Sequence, residues 1–526
     1  MTLFFYTVLI IVWLAPVIAK VLKSVHMLQL NSYRNERFLL WMSRNRSKVF
    51  QKREFLTLIP VILSLFLNLY ITVIIAALIF GLLFITRTKE TEKKKLVYTP
   101  RVRRLLSAAF TLYGLLIIGA FVVGSVFGLL AMLLLLAIGL VFTYYLVLAA
   151  NTINGPIEKQ INEQFFKDAK NILRSSRDLK VVGITGSFGK TSVKYFMYSL
   201  LSAKFNVLMT PESYNTKLGV TRTVREQLKP YHDIFIAEMG AKQLGDIEEI
   251  CELVEQDYGV LTSVGEQHLE TFKSLENIKK TKYEIIETLP KDGIGVLNKD
   301  DENIMSYQPQ NKVPKIYYGI DAEDVDIRAM DINYSNKGME FIVKLKNGES
   351  QAFKTKLLGK HNVYNILAAI AIGLEMGMTL SEMVKPVKNL APVTHRLELK
   401  PSMGNITIID DAFNSNPVGS KMAVDVLGSM EGLRMLITPG MIELGEKEYE
   451  LNKKWAMYSA DKCDYIILVG KKQTKPMQDG LKEVNYPESK LYVAVDLQDA
   501  LQQMHKVAEA KTIVLLENDL PDTFNE

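Results

Sequence analysis

Residues 183–192, Gly-Ile-Thr-Gly-Ser-Phe-Gly-Lys-Thr-Ser, constrain this chain more than any other stretch. Leu179, Val181 and Val182 before them read as a buried strand, and Val193 to Leu201 after them read as a helix. A strand, a glycine-rich turn and a helix N-terminus set backbone N–H groups and the positive end of the helix dipole around one anion. In such a cradle Lys190 reaches the terminal phosphates of a nucleotide and Thr191 ligates Mg²⁺, with Thr185, Gly186, Ser187, Gly189 and Ser192 completing the candidate phosphate site. Ile184 stands where the first glycine of the common Gly-x4-Gly-Lys-Thr loop belongs, so the loop is the tighter Thr-Gly-x-x-Gly-Lys-Thr form.

Charge is placed unevenly along the 526 residues, a length that predicts two to four domains. Residues 1–106 carry 17 Lys/Arg against 4 Asp/Glu, and residues 107–150 carry no charged side chain at all. The remainder has 46 basic and 53 acidic residues. The basic excess therefore belongs to the N-terminal loops, where it suits anionic lipid, and nucleic-acid binding is not indicated. Cys251 and Cys463 lie far apart with no metal-ligand spacing, which fits a reduced, cytosolic setting for the part that carries them.

Three apolar stretches predict a membrane region over residues 1–150. Leu3 to Leu22 is long enough to span and lacks a cleavage signature, so it reads as a retained anchor. Leu56 to Ile85 is a 30-residue apolar run, and Ser107 to Ala150 a 44-residue one with Gly124 and Gly128 near its middle, which fits a two-helix hairpin. The basic segments 23–55 and 86–106 both belong on the cytoplasmic side, as does nucleotide chemistry after residue 178. These conditions require an even number of crossings in 56–85, by two short helices turning near Asn68 or a re-entrant pair. The expectation is about five spans, N-terminus outside, in a multi-pass protein of the cell membrane with its catalytic domains in the cytoplasm.

From residue 151 the pattern changes. Residues 151–177 read as an amphipathic linker helix, and alternating strand and helix signals follow, the mark of a parallel α/β sheet. Strands are expected at 180–185, 233–238, 258–264 and 294–298, and an antiparallel insert at 310–358 with a turn at Asn336-Lys337-Gly338. Pro392 marks a boundary, and strands at 406–410, 434–438, 464–469, 490–495 and 512–517 predict a second, smaller α/β domain. The fold class is thus a P-loop parallel-sheet ATPase domain (178–391) plus a smaller Rossmann-like domain (392–526), preceded by transmembrane helices.

Phosphoryl transfer needs cations held at the phosphates. Glu238 ends the apolar run Ile234-Phe235-Ile236-Ala237, which aims a carboxylate at the mouth of the loop as a metal ligand. His268 follows another strand end and suits a second divalent ion.

These motifs, in this order, resemble the Mur ligase family over about residues 150–526, closest to the member that adds D-Ala-D-Ala. Glu238-Met239-Gly240-Ala241, Gly245-Asp246-Ile247, Gly265-x-x-His268-Leu269-Glu270 and Lys282-Tyr283-Glu284 carry the likeness. The resemblance implies ATP, two Mg²⁺ ions and a carbamylated lysine at Lys282, with Lys190, Glu238, His268 and Lys282 as the catalytic set. It implies that Asn215 and Thr216 lie near the phosphates and substrate, and that Asn298, His361 and Asn365 lie near the nucleotide. It further implies a phosphate contact for Arg396 in His395-Arg396, a ribose contact for Asp411, and substrate contacts for Asn414 and Asn416.

Departures from the family bear on the substrate. Its N-terminal domain, which grips the UDP of a nucleotide-sugar, is replaced by apolar helices. Its Leu-Gly-Asp-Met is Thr438-Pro439-Gly440-Met441 here, and Leu516-Glu517-Asn518-Asp519 stands where its Lys-Gly-Ser element would be. The expectation is a membrane-anchored carboxylate–amine ligase working through an acyl phosphate. Its acceptor would be a lipid-linked or other envelope precursor, its donor an amino acid or dipeptide, and its partners membrane lipids. Alternatives are a tethered ligase acting on a soluble UDP-sugar peptide, a poly-amino-acid synthetase, and a nucleotide-binding scaffold with an idle site.

Overall fold

The computed structural model describes the chain except Met1 and residues 88–94, 177, 268, 336–337, 358, 394–396, 401–405, 413–414 and 520–526. The expected roles of His268, His395, Arg396 and Asn414, and the turn at Asn336-Lys337, fall outside the described residues. Two compact units divide between Glu163 and Gln164.

The first unit is helical. Its opening helix, Thr2–Leu30, buries Leu9, Trp13, Val17, Val21, Val25 and Leu28, one residue per turn along a single face. Ala76, Phe80 and Leu83 of the helix Leu69–Ile85 share that core. Asn68 starts the latter helix as an N-cap, its side-chain oxygen accepting from Ile71 N at 3.0 Å. Thr99 caps Pro100–Phe127 in the same way, with proline at the favoured first position. Gly128, at φ +85°, then breaks the chain before Leu129–Val141, close to where paired glycines suggested a hairpin.

Length and composition bound the candidate spans. Among the described residues two helices are long and apolar enough to cross a membrane, Phe4–Leu30 and Pro100–Phe127. A third counts only if Leu129–Val141 and Thr143–Ser175, bent by 72°, form one span. The run 56–85 does break just before Asn68, but its first limb is a short 3₁₀ turn plus the six-residue helix Leu58–Leu63. Six residues rise about 9 Å, far short of a bilayer. The separate linker helix of 151–177 is absent as such, because one helix runs from Thr143 to Ser175 through Pro156.

The second unit holds two sheets. In the first, strands β1 (Lys180–Thr185), β2 (Val207–Met209), β3 (Ile234–Glu238), β4 (Tyr258–Leu261), β5 (Ile294–Asn298), β6 (Lys315–Gly319), β7 (Ile327–Ser335), β8 (Gly338–Leu345) and β9 (Ser350–Thr355) lie in the order 2-3-1-4-5-6-7-8-9. Strands through β7 pair in parallel, and β8 and β9 add antiparallel at the edge. The expected insert is therefore an extension of the main sheet. Both faces of the parallel part are covered, so its strands read as continuous apolar runs. Val182, Ile184, Ile234 and Ile236 enter one core, while Val181, Phe235 and Ala237 enter the other. The order reverses beside β1, and its C-terminal end is where such sheets hold ligands.

The second sheet is built from β10 (Glu398–Leu399), β11 (Ile406–Asp411), β12 (Leu433–Thr438), β13 (Tyr465–Val469), β14 (Leu491–Ala494) and β15 (Thr512–Glu517) in the order 10-11-15-12-13-14. It is parallel except for the short β10. The last strand is thus central, lodged between β11 and β12.

Candidate functional site

The loop after β1 is tied to the end of β4 by a ladder of hydrogen bonds. Ser187 N donates to Ser263 O at 2.8 Å, Phe188 N to Ser263 Oγ at 3.0 Å, and Ser187 Oγ to Gly265 O at 3.0 Å. Thr185 Oγ1 donates to Met239 O at 2.8 Å, joining the loop to the end of β3. Glycine is required at two points. A Cβ on Gly186 would lie 2.0 Å from Thr262 Oγ1, and one on Gly189 would lie 2.7 Å from Asn365 Oδ1, at φ +83°. The helix Lys190–Leu201 begins immediately after, so the N–H groups of its first turn, at Lys190, Thr191 and Ser192, face the loop mouth. Lys190 Nζ folds back onto the carbonyls of Gly186 and Ser187.

Glu238, 1% exposed at the end of β3, faces this turn. Its Oε1 accepts from Thr191 Oγ1 and from Asn215 Nδ2, each at 3.1 Å. Its Oε2 lies 2.9 Å from Lys194 Nζ in an ion pair between two fully buried side chains. Burial opposes the charge on Glu238, but the ammonium groups of Lys194 and Lys190 outweigh it and hold the carboxyl below its usual range. Lys194 was missed from sequence, although it lies four residues after Lys190 and hence on the same helix face. Thr216 caps the helix Lys217–Gln227, accepting from Gly219 N at 3.3 Å.

Lys282 is 2% exposed on the helix Leu275–Glu287. Burial, with the nearby Lys190 ammonium adding to it, holds its amine well below the usual lysine range and favours the neutral form. Two residues on, Glu284 accepts from Gly245 N, Ile247 N and Glu248 N at 2.8, 3.2 and 3.0 Å. One carboxylate thus caps the helix Asp246–Val254, which explains why Gly245-Asp246-Ile247 and Lys282-Tyr283-Glu284 occur together.

A cavity of about 270 Å³ lies between the loop and the second sheet. Its walls bring together Gly189, Ser192, Asn298, His361, Asn365, Asp411 and Asn416, residues expected at the nucleotide or substrate. Asn298 Oδ1 accepts from Asp300 N at 3.1 Å, and Asp411 Oδ1 from Leu397 N at 3.1 Å. Asn416 caps the helix Pro417–Gly428 through Gly419 N at 2.9 Å. Burial pushes the His361 imidazole down to about 4, so it is neutral at physiological pH. Glu517, 1% exposed at the end of β15, was also missed. Burial pushes its carboxyl up to about 7, with Asp411 adding to the rise and the hydroxyls of Ser415 and Thr438 working against it.

The donor set fits Mg²⁺. A threonine hydroxyl beside an ionised carboxylate offers hard oxygen ligands, and this ion is ordinarily held by one or two carboxylates plus substrate phosphates. Among the described residues no cluster of three or more His, Cys, Asp or Glu could hold a metal ion.

Fold and site together define a P-loop nucleotide-binding protein with a second α/β domain closing over the loop. Residues 184–373 match the Mur ligase middle domain and residues 395–517 the Mur ligase glutamate ligase domain. Over 340 residues the chain is 31% identical to the UDP-N-acetylmuramoyl-tripeptide–D-alanyl-D-alanine ligase of Bacillus subtilis, covering 64% of this chain and 72% of that protein. Against the Escherichia coli protein of the same name it is 32% identical over 301 residues, covering 57% and 66%. MurF from Acinetobacter baumannii shares the fold with a TM-score of 0.61 at 23% identity, over 69% of this chain and 78% of that one. MurF from Thermotoga maritima, solved with ADP, gives 0.61 at 24% identity over 68% and 80%. The chain belongs to the Mur ligase family and is an ATP-dependent, ADP-forming amide ligase.

Proposed function

We propose that this chain adds D-Ala-D-Ala, or a related amino acid or dipeptide, to the terminal carboxylate of a UDP-MurNAc-peptide type of cell-wall precursor. The observation that carries this reading is the cluster of Thr191, Asn215, Lys194 and Glu238 at the mouth of the phosphate loop, in a chain whose relatives bear that reaction in their names. An oxygen of the acceptor carboxylate attacks the γ-phosphorus of ATP, the bond to the bridging oxygen breaks, and ADP leaves. The amine then attacks the acyl carbon, phosphate departs, and the amine loses a proton as the amide forms. Lys190 leaves the loop carbonyls to meet the γ-phosphate. Thr191 and Glu238 would hold Mg²⁺, which supplies charge neutralisation at the phosphates. Lys282, a buried amine whose charged form is disfavoured by burial, is suited to carbamylation, and the carbamate would supply a further carboxylate beside Glu238.

Cavity shape supports a bulky acceptor. A space of about 1180 Å³ runs from Thr191 past Tyr195, Tyr198 and Glu212 to Lys385 and Pro392. Closure of the second domain would shield the acyl phosphate from water.

A second reading places the same chemistry on an acceptor held at the cell membrane, with the catalytic unit in the cytoplasm. It is favoured by apolar side chains left exposed on the long N-terminal helices, among them Phe4, Ile11, Leu115, Ile118 and Phe127. The test is mass spectrometry of products formed with Mg-ATP, D-Ala-D-Ala or a panel of related amino acids and dipeptides, and either UDP-MurNAc-tripeptide or a lipid extract. Ligation to the soluble precursor supports the first reading, and ligation only with lipid supports the second. No ligated product from either acceptor refutes both.

A further inference from the structure

The N-terminal helical unit contains a cavity of about 760 Å³, within the size range of small-molecule sites. Among the described residues its charged lining is mainly basic. Lys20, Arg53 and Arg87 line it with one carboxylate, Glu54. That carboxylate is already committed, pairing with Lys20 Nζ at 2.7 Å, while Lys20 also donates to Leu140 O and Val141 O at 3.2 and 3.1 Å. The pair is neutral overall. The two guanidinium groups are held by neutral partners. Arg53 donates to Gln51 Oε1 at 2.7 Å and to Thr86 O, and Arg87 lies 4.1 Å over the Phe84 ring and donates to Phe84 O at 3.4 Å. Planar guanidinium groups fixed in this way keep their charge and donors for an oxyanion. Leu83 and Phe84 provide an apolar wall to the same space.

We propose that this cavity binds a phosphate-bearing amphiphile, its head between Arg53 and Arg87 and its chain along Leu83 and Phe84. Polar and apolar walls in one cavity select for both parts of such a molecule. A soluble phosphate would use only the basic half. The proposal stands apart from the ligase reading, because it concerns residues before 164 and its readout is binding, not turnover.

The test uses the full chain in neutral detergent and counts bound molecules by native mass spectrometry. The probes are dodecyl phosphate, dodecylphosphocholine with its charge-balanced head, and inorganic phosphate. One saturable equivalent of dodecyl phosphate is expected, with at least tenfold weaker binding of the other two. Arg53→Gln and Arg87→Gln should each weaken dodecyl phosphate at least tenfold, while Arg44→Gln/Arg46→Gln, on exposed basic residues outside the cavity, should not. Arg87 is exposed, so its variant keeps the test open if Arg53→Gln fails to fold. Equal binding of inorganic phosphate, equal binding of dodecylphosphocholine, or indifference to Arg87→Gln overturns the proposal.

Discussion

Lys194 Nζ lies 2.9 Å from Glu238 Oε2, and both side chains are sealed from solvent. Removing one member of such a pair strands a buried charge. Lys194→Met should destabilise the chain by about 3–5 kcal/mol and depress ATP turnover, because Glu238 loses the cation that keeps it ionised. Lys194→Met/Glu238→Leu should regain much of that stability while remaining inactive. Denaturant unfolding of the single and double variants checks this, and additive losses would refute it.

The Glu517 carboxyl gives a prediction about pH. Its folded-state value, about 7, lies above the ordinary carboxylate range, so the folded state favours the protonated form. The resulting stabilisation is complete below about pH 4 and is lost as pH rises through 7, a change of about 3 kcal/mol. Glu517→Gln should therefore raise the melting temperature at pH 8 and leave it nearly unchanged at pH 4. Equal shifts at both pH values would contradict this account.

Glu284 accepts three backbone N–H groups at one helix start. Glu284→Ala should cost about 1–3 kcal/mol by leaving those donors without their acceptor. Glu284→Gln, which keeps one acceptor oxygen, should cost less. Thermal melts of the two variants measure the difference.

Gly186 admits no Cβ beside Thr262. Gly186→Ala should weaken ATP binding at least tenfold by displacing the loop from β4, and Thr262→Ser should not rescue it, since the hydroxyl remains. Titration with a fluorescent ATP analogue tests both.

Local chemistry made part of this site readable in advance. The phosphate loop declares itself because strand, turn and helix are consecutive in sequence, and Glu238 because it ends an apolar strand run. Lys194 left a signal in its helical spacing from Lys190, but its importance depends on β3 packing beside β1, which no local pattern states. Glu517 stood in a stretch marked only as a departure from the family, because its place beside Asp411 depends on the sheet order 11-15-12, which brings the last strand to the centre. The role of Glu284 was likewise hidden, since its helix cap joins segments nearly forty residues apart. In the N-terminal unit, hydropathy located the breaks near Asn68 and Gly128. Composition does not reveal that Leu58–Leu63 stops after six residues, which gives the expected pair in 56–85 one short limb.

The central claim is that an acceptor carboxylate attacks the γ-phosphorus of ATP in the site formed by Lys190, Thr191 and Glu238. The most direct measurement supplies an acceptor labelled with heavy oxygen in its carboxylate and reads the phosphate released during ligation. An acyl phosphate carries one carboxylate oxygen into that phosphate, so the account predicts labelled phosphate in step with amide, both lost in Lys190→Ala. Amide formed with unlabelled phosphate would contradict it.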